Sequence, residues 1–207
     1  MTTNKGYAAI NILGLAVGIA FSAMLFIYIN NELSYDTHHD RSDRIYRAVT
    51  ADLSSPEKTR YFGETVPMVG PSLVSDFPEV AQMARLFRNR GQFVFSVGED
   101  NHQERAWYAA DPSIFEVFDF EFIYGEAKSA LSEPNSAIIT ASTAYKYFGK
   151  IDVVGSILER SEPVKISAVI RDLPVNSHLQ FAILVTSVDS NEEWMNYLSS
   201  WENFGAY

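Results

Sequence analysis

YAAINILGLAVGIAFSAMLFIYI, residues 7–29, runs for 23 positions without a charged side chain. Wound as an α-helix at about 1.5 Å per residue it is about 35 Å long. That length crosses a hydrocarbon core of about 30 Å with some tilt. Lys5 precedes the stretch and Glu32 follows it. All 26 acidic residues and 15 of the 16 basic ones come later in the chain. The pattern predicts one membrane helix with a water-facing body attached behind it.

A cleaved signal peptide has the same ingredients, a basic start and an apolar run. The run here exceeds the usual length of about 7–15 residues for such a leader. No A-x-A cleavage pattern follows it, only Asn30, Asn31, Glu32 and Leu33. A retained span is the reading that fits. A buried helix of a soluble protein does not account for so long an uncharged run.

The span carries a pattern of its own. Asn11, Gly14, Gly18 and Ser22 are spaced 3, 4 and 4 apart, which places them on one stripe of a helix. Gly14 and Gly18 form a small-xxx-small pair that lets a second helix come close. Asn11 is costly against lipid and better placed against a partner group. Glycine is frequent in membrane helices in any case. A packing stripe is the sharper reading, and it expects further membrane helices.

With 207 residues, 47% of them hydrophobic, the chain can build a sizeable core behind the span. A formal charge of −10 disfavours a nucleic-acid partner and serves solubility. The absence of cysteine excludes disulfides, thiol catalysis and cysteine-based zinc sites. Lys5 on the short side, with Glu32, Asp36 and Asp40 first on the other, points the N-terminus inward and the body outward. The expected organisation is a short cytoplasmic end at 1–6, a transmembrane helix at 7–29, a connector at 30–44 and an extracytoplasmic domain over 45–207.

Within that domain, β-formers predict strands over 45–51, 84–88, 93–97, 137–139, 164–170 and 181–186. A loop is expected around Pro56, a turn at Gly91 and a hairpin returning over 104–109. Helices are expected over 67–77 and, with Asp111 as cap and Pro112 in the first position, over 113–117. The segment 118–124 alternates as a half-buried strand or extended segment. Thr140 caps a helix that runs to Phe148 and stops at Gly149. In the strand at 164–170, Val164, Ile166, Ala168 and Ile170 alternate with Lys165 and Ser167. Ser190 or Asn191 opens a last helix with Trp194, Tyr197, Leu198 and Trp201 on one face. The mixture lacks a regular βαβ rhythm and predicts an α+β fold.

No phosphate-binding G-x-x-x-x-G-K-[ST] is present, so the chain is no transporter ATPase itself. G-x-G-x-x-G and G-x-S-x-G are absent too. Asp36, His38, His39, Asp40 and Asp43 form the most site-like cluster. Adjacent histidines converge poorly on one ion, and a polar connector explains the cluster better than a metal site. His102 and His178 read as surface residues in loops. Ser136, Ser142 and Ser177 have no base placed beside them by sequence. Glu116, Asp119 and Glu121 read as solvated edges. The run Phe115, Phe118, Phe120, Phe122 and Tyr124 reads as core. No catalytic, cofactor-binding or metal-binding residue is expected.

Several stretches, taken in order, resemble the permease subunits of ABC transporters with a MacB-like periplasmic core domain, the FtsX-like group. They are INILGLAVGIA at 10–20, NELSYDTHHDRSDRIYR at 31–47, GPSLVSDFPEV at 70–80, ADPSIFEVFDFEFIYGE at 110–126, NSAIITASTAYKYFG at 135–149 and IRDLPVNSHLQFAILVTS at 170–187. The resemblance implies a bacterial inner-membrane subunit with no catalytic residues. Such subunits have one helix, a large periplasmic domain and three more helices. They form homodimers or heterodimers, pair with a separate ABC ATPase, and relay its motion to a periplasmic domain that meets cargo or a periplasmic partner protein. By that measure this chain is the N-terminal part of a permease, without the later helices and without the basic amphipathic segment that usually precedes the first. Two other classes compete: a single-pass anchored binding or sensing module, and a membrane-tethered hydrolase.

Overall fold

The structure is a computed structural model that describes residues 5–54, 58–88, 93–160, 162–188, 191–202 and 205–206. The readings at Pro56, Gly91 and Ser190 lie outside the described residues. The chain forms two compact units. One runs to His38 and takes in Pro174–His178; the other comprises His39–Leu173 and Leu179–Tyr207.

The first unit is dominated by helix α1, Lys5–Leu33, which contains the whole uncharged stretch. None of its residues is buried. It is one helix long and apolar enough to cross a membrane. Beyond it, Ser34 folds back with its N–H and its hydroxyl on the Asn31 carbonyl. This satisfies a carbonyl left over at the helix end.

The second unit is built on a seven-stranded mixed sheet, with β-strands and helices following one another in chain order. Its elements are β1 Thr50–Asp52, β2 Arg60–Phe62, α2 Val69–Asp76, β3 Leu86–Arg88, β4 Phe93–Val97, β5 Asp100–Glu104, β6 Trp107–Ala110, α3 Ile114–Val117, β7 Phe122–Tyr124, β8 Ser136–Thr140, α4 Ala141–Phe148, β9 Ile157–Leu158, β10 Val164–Ile170, β11 Ile183–Thr186 and α5 Glu192–Leu198. The sheet order is β3-β6-β11-β8-β10-β7, with β9 also paired to β10. Strands β8 and β10 run parallel, as do β6 and β11; the other pairs are antiparallel. The fold is α+β, as the mixed pattern predicts.

The central strands β8 and β11 are buried along their whole length, so both faces of the sheet are covered. Ala137, Ile139, Ile183 and Val185 enter one core with Phe95, Trp107 and Tyr147. Ile138 and Leu184 enter the other with Ile114, Leu131 and Phe181. Phe115, Phe118, Phe120 and Phe122 pack against that second core, while Tyr124 stays half-exposed.

Strand β10 departs from simple alternation. Its register with β8 shifts between Ile166 and Ala168. Val164 and Ile166 therefore face one core, whereas Ala168 and Ile170 face the other. A bulge inserts one residue and re-aims every side chain after it. The extra residue is Ser167, whose hydroxyl donates to the Ala137 carbonyl at 3.0 Å.

Four local readings are corrected. Residues 45–49 hold no regular element, and the first strand is Thr50–Asp52, paired with Arg60–Phe62 in a separate two-stranded ribbon. The hairpin returns over Asp100–Glu104, because Gly98, at φ +60°, supports a turn of two residues. Residues 107–110 then leave the hairpin for the main sheet. Helix α3 starts from Ser113, not from an Asp111 side-chain cap. Trp201 lies past the end of α5 and is exposed. The α4 reading holds: Thr140 accepts the Thr143 N–H, and Gly149 closes the helix at φ +69°.

Candidate functional site

In the first unit, the end of α1 grips the segment Pro174–His178. Asp36 takes a left-handed conformation, φ +56°, which Asp tolerates better than most residues. That turn presents both its backbone and its carboxylate to the segment. The Asp36 N–H donates to the Asn176 carbonyl at 3.0 Å. The Asn176 side-chain amide donates to the Ser34 carbonyl at 2.8 Å and to its hydroxyl at 3.0 Å. The Ser177 hydroxyl and the His178 N–H both donate to Asp36 Oδ1, at 3.0 and 2.9 Å. His178 Nδ1 sits 2.7 Å from Asp36 Oδ2, and the Tyr35 ring lies 4.7 Å from the His178 ring. Partial burial pushes the Asp36 carboxyl up. The His178 N–H, the His178 ring and the Ser177 hydroxyl outweigh this and hold it below its ordinary value.

In the second unit, the residues just after His38 are fixed in the same manner. His39 is buried, and its Nδ1 accepts the Asp119 N–H at 3.1 Å. Its ring meets the edge of Phe118 at 5.2 Å. The Asp40 N–H donates to the Asp119 carboxylate at 2.8 Å, and Arg41 donates to the Glu116 carbonyl at 2.7 Å. The connector is thus bound into each unit by side chains that read as a loose polar cluster in the sequence. Asp36 and His39 spend acceptor atoms on these contacts.

A buried ion pair holds the far end of the sheet. Arg85 Nε and Nη2 reach Asp111 Oδ2 and Oδ1 at 2.7 and 3.2 Å. Ser187 donates to Asp111 Oδ1 at 2.6 Å, and Arg85 also reaches the carbonyls of Pro67 and Leu198. Nearby, a cavity of about 470 Å³ opens over β6 and β11, walled by Trp107, Arg160, Trp194 and Tyr197.

Asn11, Gly14, Gly18 and Ser22 all lie on α1 and are exposed. A Cβ placed on Gly14 or Gly18 would meet open space. The helix alone therefore gives these glycines no steric reason to be glycine. Ser136 donates to the Glu133 carbonyl, and the Ser142 N–H to Asp172. His102 is in strand β5, not a loop, and stacks on Tyr147 at 4.0 Å. His178 is exposed as expected, but it is engaged by Asp36. Sequence reasoning misses the grip of Asp36 on 176–178 because 140 residues separate the partners. The one local signal is an Asn-Ser-His run placed between two apolar strands.

The sequence matches the MacB-like periplasmic core domain over residues 8–203. Among solved structures, a domain assigned to a permease protein from Porphyromonas gingivalis aligns at 23% identity with a TM-score of 0.59. The alignment covers 72% of this chain and 64% of that one, so the chain spans somewhat less than two thirds of that relative. The periplasmic region of MacB from Actinobacillus actinomycetemcomitans aligns at 13% identity and a TM-score of 0.38, over 55% of this chain and 54% of that one. The extracellular domain of the ABC-type transporter YknZ from Gram-positive bacteria aligns at 18% identity and a TM-score of 0.38, over 49% and 53%. Comparison with curated proteins returns no match.

Proposed function

The chain belongs to the MacB-like periplasmic core domain family, and from that premise we propose that it is the membrane-anchored N-terminal part of an ABC-transporter permease subunit. In this reading residues 7–29 of α1 cross the bacterial inner membrane, 1–6 stay inside, 30–44 connect, and 45–207 work outside. A separate ABC ATPase supplies the energy, and the chain performs no chemistry of its own. The stripe Asn11, Gly14, Gly18 and Ser22 packs against further helices or a second permease copy. The outer domain handles cargo or a periplasmic partner.

The observation that supports a mechanical role is the grip of Asp36 and Ser34 on 176–178. It makes the outer end of α1 and the segment Pro174–His178 one body. That body continues into the rest of the chain at three peptide links, 38–39, 173–174 and 178–179. The last two lead to β10, which neighbours the central strand β8, and to the central strand β11. A displacement of α1 is then delivered by three covalent connections instead of one. Hydrogen-bonded networks and rigid elements of this sort carry energetic coupling between distant parts of a protein.

The test is affinity purification of the full-length product from membranes, followed by ATPase assays on the complex. A co-purifying ATPase whose turnover falls out of step with the outer domain's output in Asn176→Ala supports the relay. An ATPase that never co-purifies overturns it. A binding or sensing module is the second reading, favoured by the aromatic cavity beside Trp107. It would operate with no ATPase at all.

A further inference from the structure

Tyr7 and Tyr28 stand 21 residues apart on α1, both largely exposed. That separation is about 32 Å of helix, the distance between the aromatic belts that flank a hydrocarbon core of about 30 Å. Ile29 closes the uncharged run, and Ser34 lies about 8 Å further along the axis. A headgroup layer is about 5–7 Å thick on each side, so Ser34 sits at its outer margin.

The Asn176 amide is bonded to the Ser34 carbonyl and hydroxyl, and the Asn176 carbonyl to the Asp36 N–H. These bonds pin the segment 174–178 at that depth. Val175 is one peptide away, about 3.8 Å between Cα atoms. It is 91% exposed, although Ser177 in the same segment is buried and bonded to Asp36. An exposed valine on its own needs no explanation. This one stands out by position, held by hydrogen bonds to the end of the helix.

We propose that Pro174–Val175 rests on the lipid surface from which α1 emerges, with the Val175 side chain in the headgroup layer. The segment is then a second membrane contact that fixes how far α1 protrudes. The proposal rests on reading α1 as a membrane span. Partners of another kind, a second copy or a further helix, would exclude lipid from Val175 and show as an absence of quenching.

The chain has no cysteine, so Val175→Cys supplies a single thiol for an environment-sensitive fluorophore, at a position open enough to leave the fold intact. The labelled full chain is placed in phosphatidylcholine nanodiscs carrying a nitroxide either on the headgroup or deep on the acyl chain. Val17→Cys, inside the uncharged run, is the reference. The expected result is about twofold quenching at 175 by the headgroup nitroxide and weaker quenching by the deep one, with the reverse order at 17. Quenching at 17 with none at 175 overturns the membrane contact and leaves the span standing. Quenching at neither overturns both.

Discussion

Arg85 and Asp111 meet as a two-pronged ion pair at 2.7 and 3.2 Å, with both side chains largely withdrawn from water. The same pair is knit by backbone. The Asp111 N–H donates to the Arg85 carbonyl, and the Arg85 N–H to the Asp111 carboxylate. Through it β3 and β6 are joined to Ser187 after β11 and to the Leu198 carbonyl at the end of α5.

Removing one partner of such a pair leaves the other charged and buried, at a cost of about 3–5 kcal/mol. Asp111→Ala should destabilise the second unit by that order in urea unfolding. Arg85→Lys should recover little, because a lysine ammonium cannot reproduce the planar fork. A midpoint unchanged in Asp111→Ala would show that the pair holds nothing.

Asp36 gives the first unit a pH dependence whose sign follows from its lowered pKa. Burial raises the carboxyl, and the bonds from His178 and Ser177 outweigh it and bring it below 3.8. A folded value below the unfolded one contributes stability above the unfolded value, lost as pH falls through the folded one. The grip on 176–178 should therefore hold at neutral pH and open under acid below about 4. Hydrogen exchange at the His178 amide, which donates to Asp36, reads this directly. Asp36→Asn should show fast exchange at neutral pH and no such acid step.

Tyr147 behaves in the opposite direction. Burial raises its hydroxyl first, and the Glu104 carboxylate, bonded at 3.2 Å, raises it further. Its stabilising share is present below the unfolded value of about 10 and is lost as pH rises through the higher folded one. Ultraviolet difference titration should show Tyr147 silent until the second unit opens in alkali. Tyr147→Phe should leave the remaining titration unchanged; loss of a tyrosine that ionises near pH 10 would contradict the assignment.

How legible the chain was depends on the range of the forces involved. Local chemistry could be read: the Thr140 cap and the Gly149 stop of α4 are fixed by their own neighbours in sequence. The α1 stretch could be read because a bilayer-length run needs no partner to declare itself. The flip in β10 could not, because the bulge at Ser167 depends on pairing with Ala137 across the sheet. Asp111 was read as a helix cap because its tertiary partner Arg85 lies 26 residues upstream. Asp36 and His39 likewise read as part of a polar connector, since what engages them is far along the chain.

Because the α4 ends are local, they permit a quantitative check. Thr140→Ala removes the acceptor of the Thr143 N–H and the hydroxyl contact at 2.8 Å. The expected loss is about 1 kcal/mol. Gly149→Ala forces a Cβ into the left-handed region and should cost about 1 kcal/mol for the same helix. The two sites lie at opposite ends of α4, so the double variant should lose about the sum in urea unfolding.

Gly14 and Gly18 pose the last question. Each has open space around a notional Cβ, so nothing within α1 itself resists a larger side chain. If the stripe with Asn11 and Ser22 meets another membrane helix, Gly14→Leu and Gly18→Leu should push the helices apart. The loss of association should be about 1–2 kcal/mol, that is, about tenfold. Gly6, which also has open space and lies outside the stripe, supplies the control Gly6→Leu. Förster transfer between labelled copies in nanodiscs measures the monomer–dimer balance. A fall confined to the stripe variants makes these glycines the interface between copies; equal behaviour of all three removes the stripe from that interface and leaves it only the further helices to pack against.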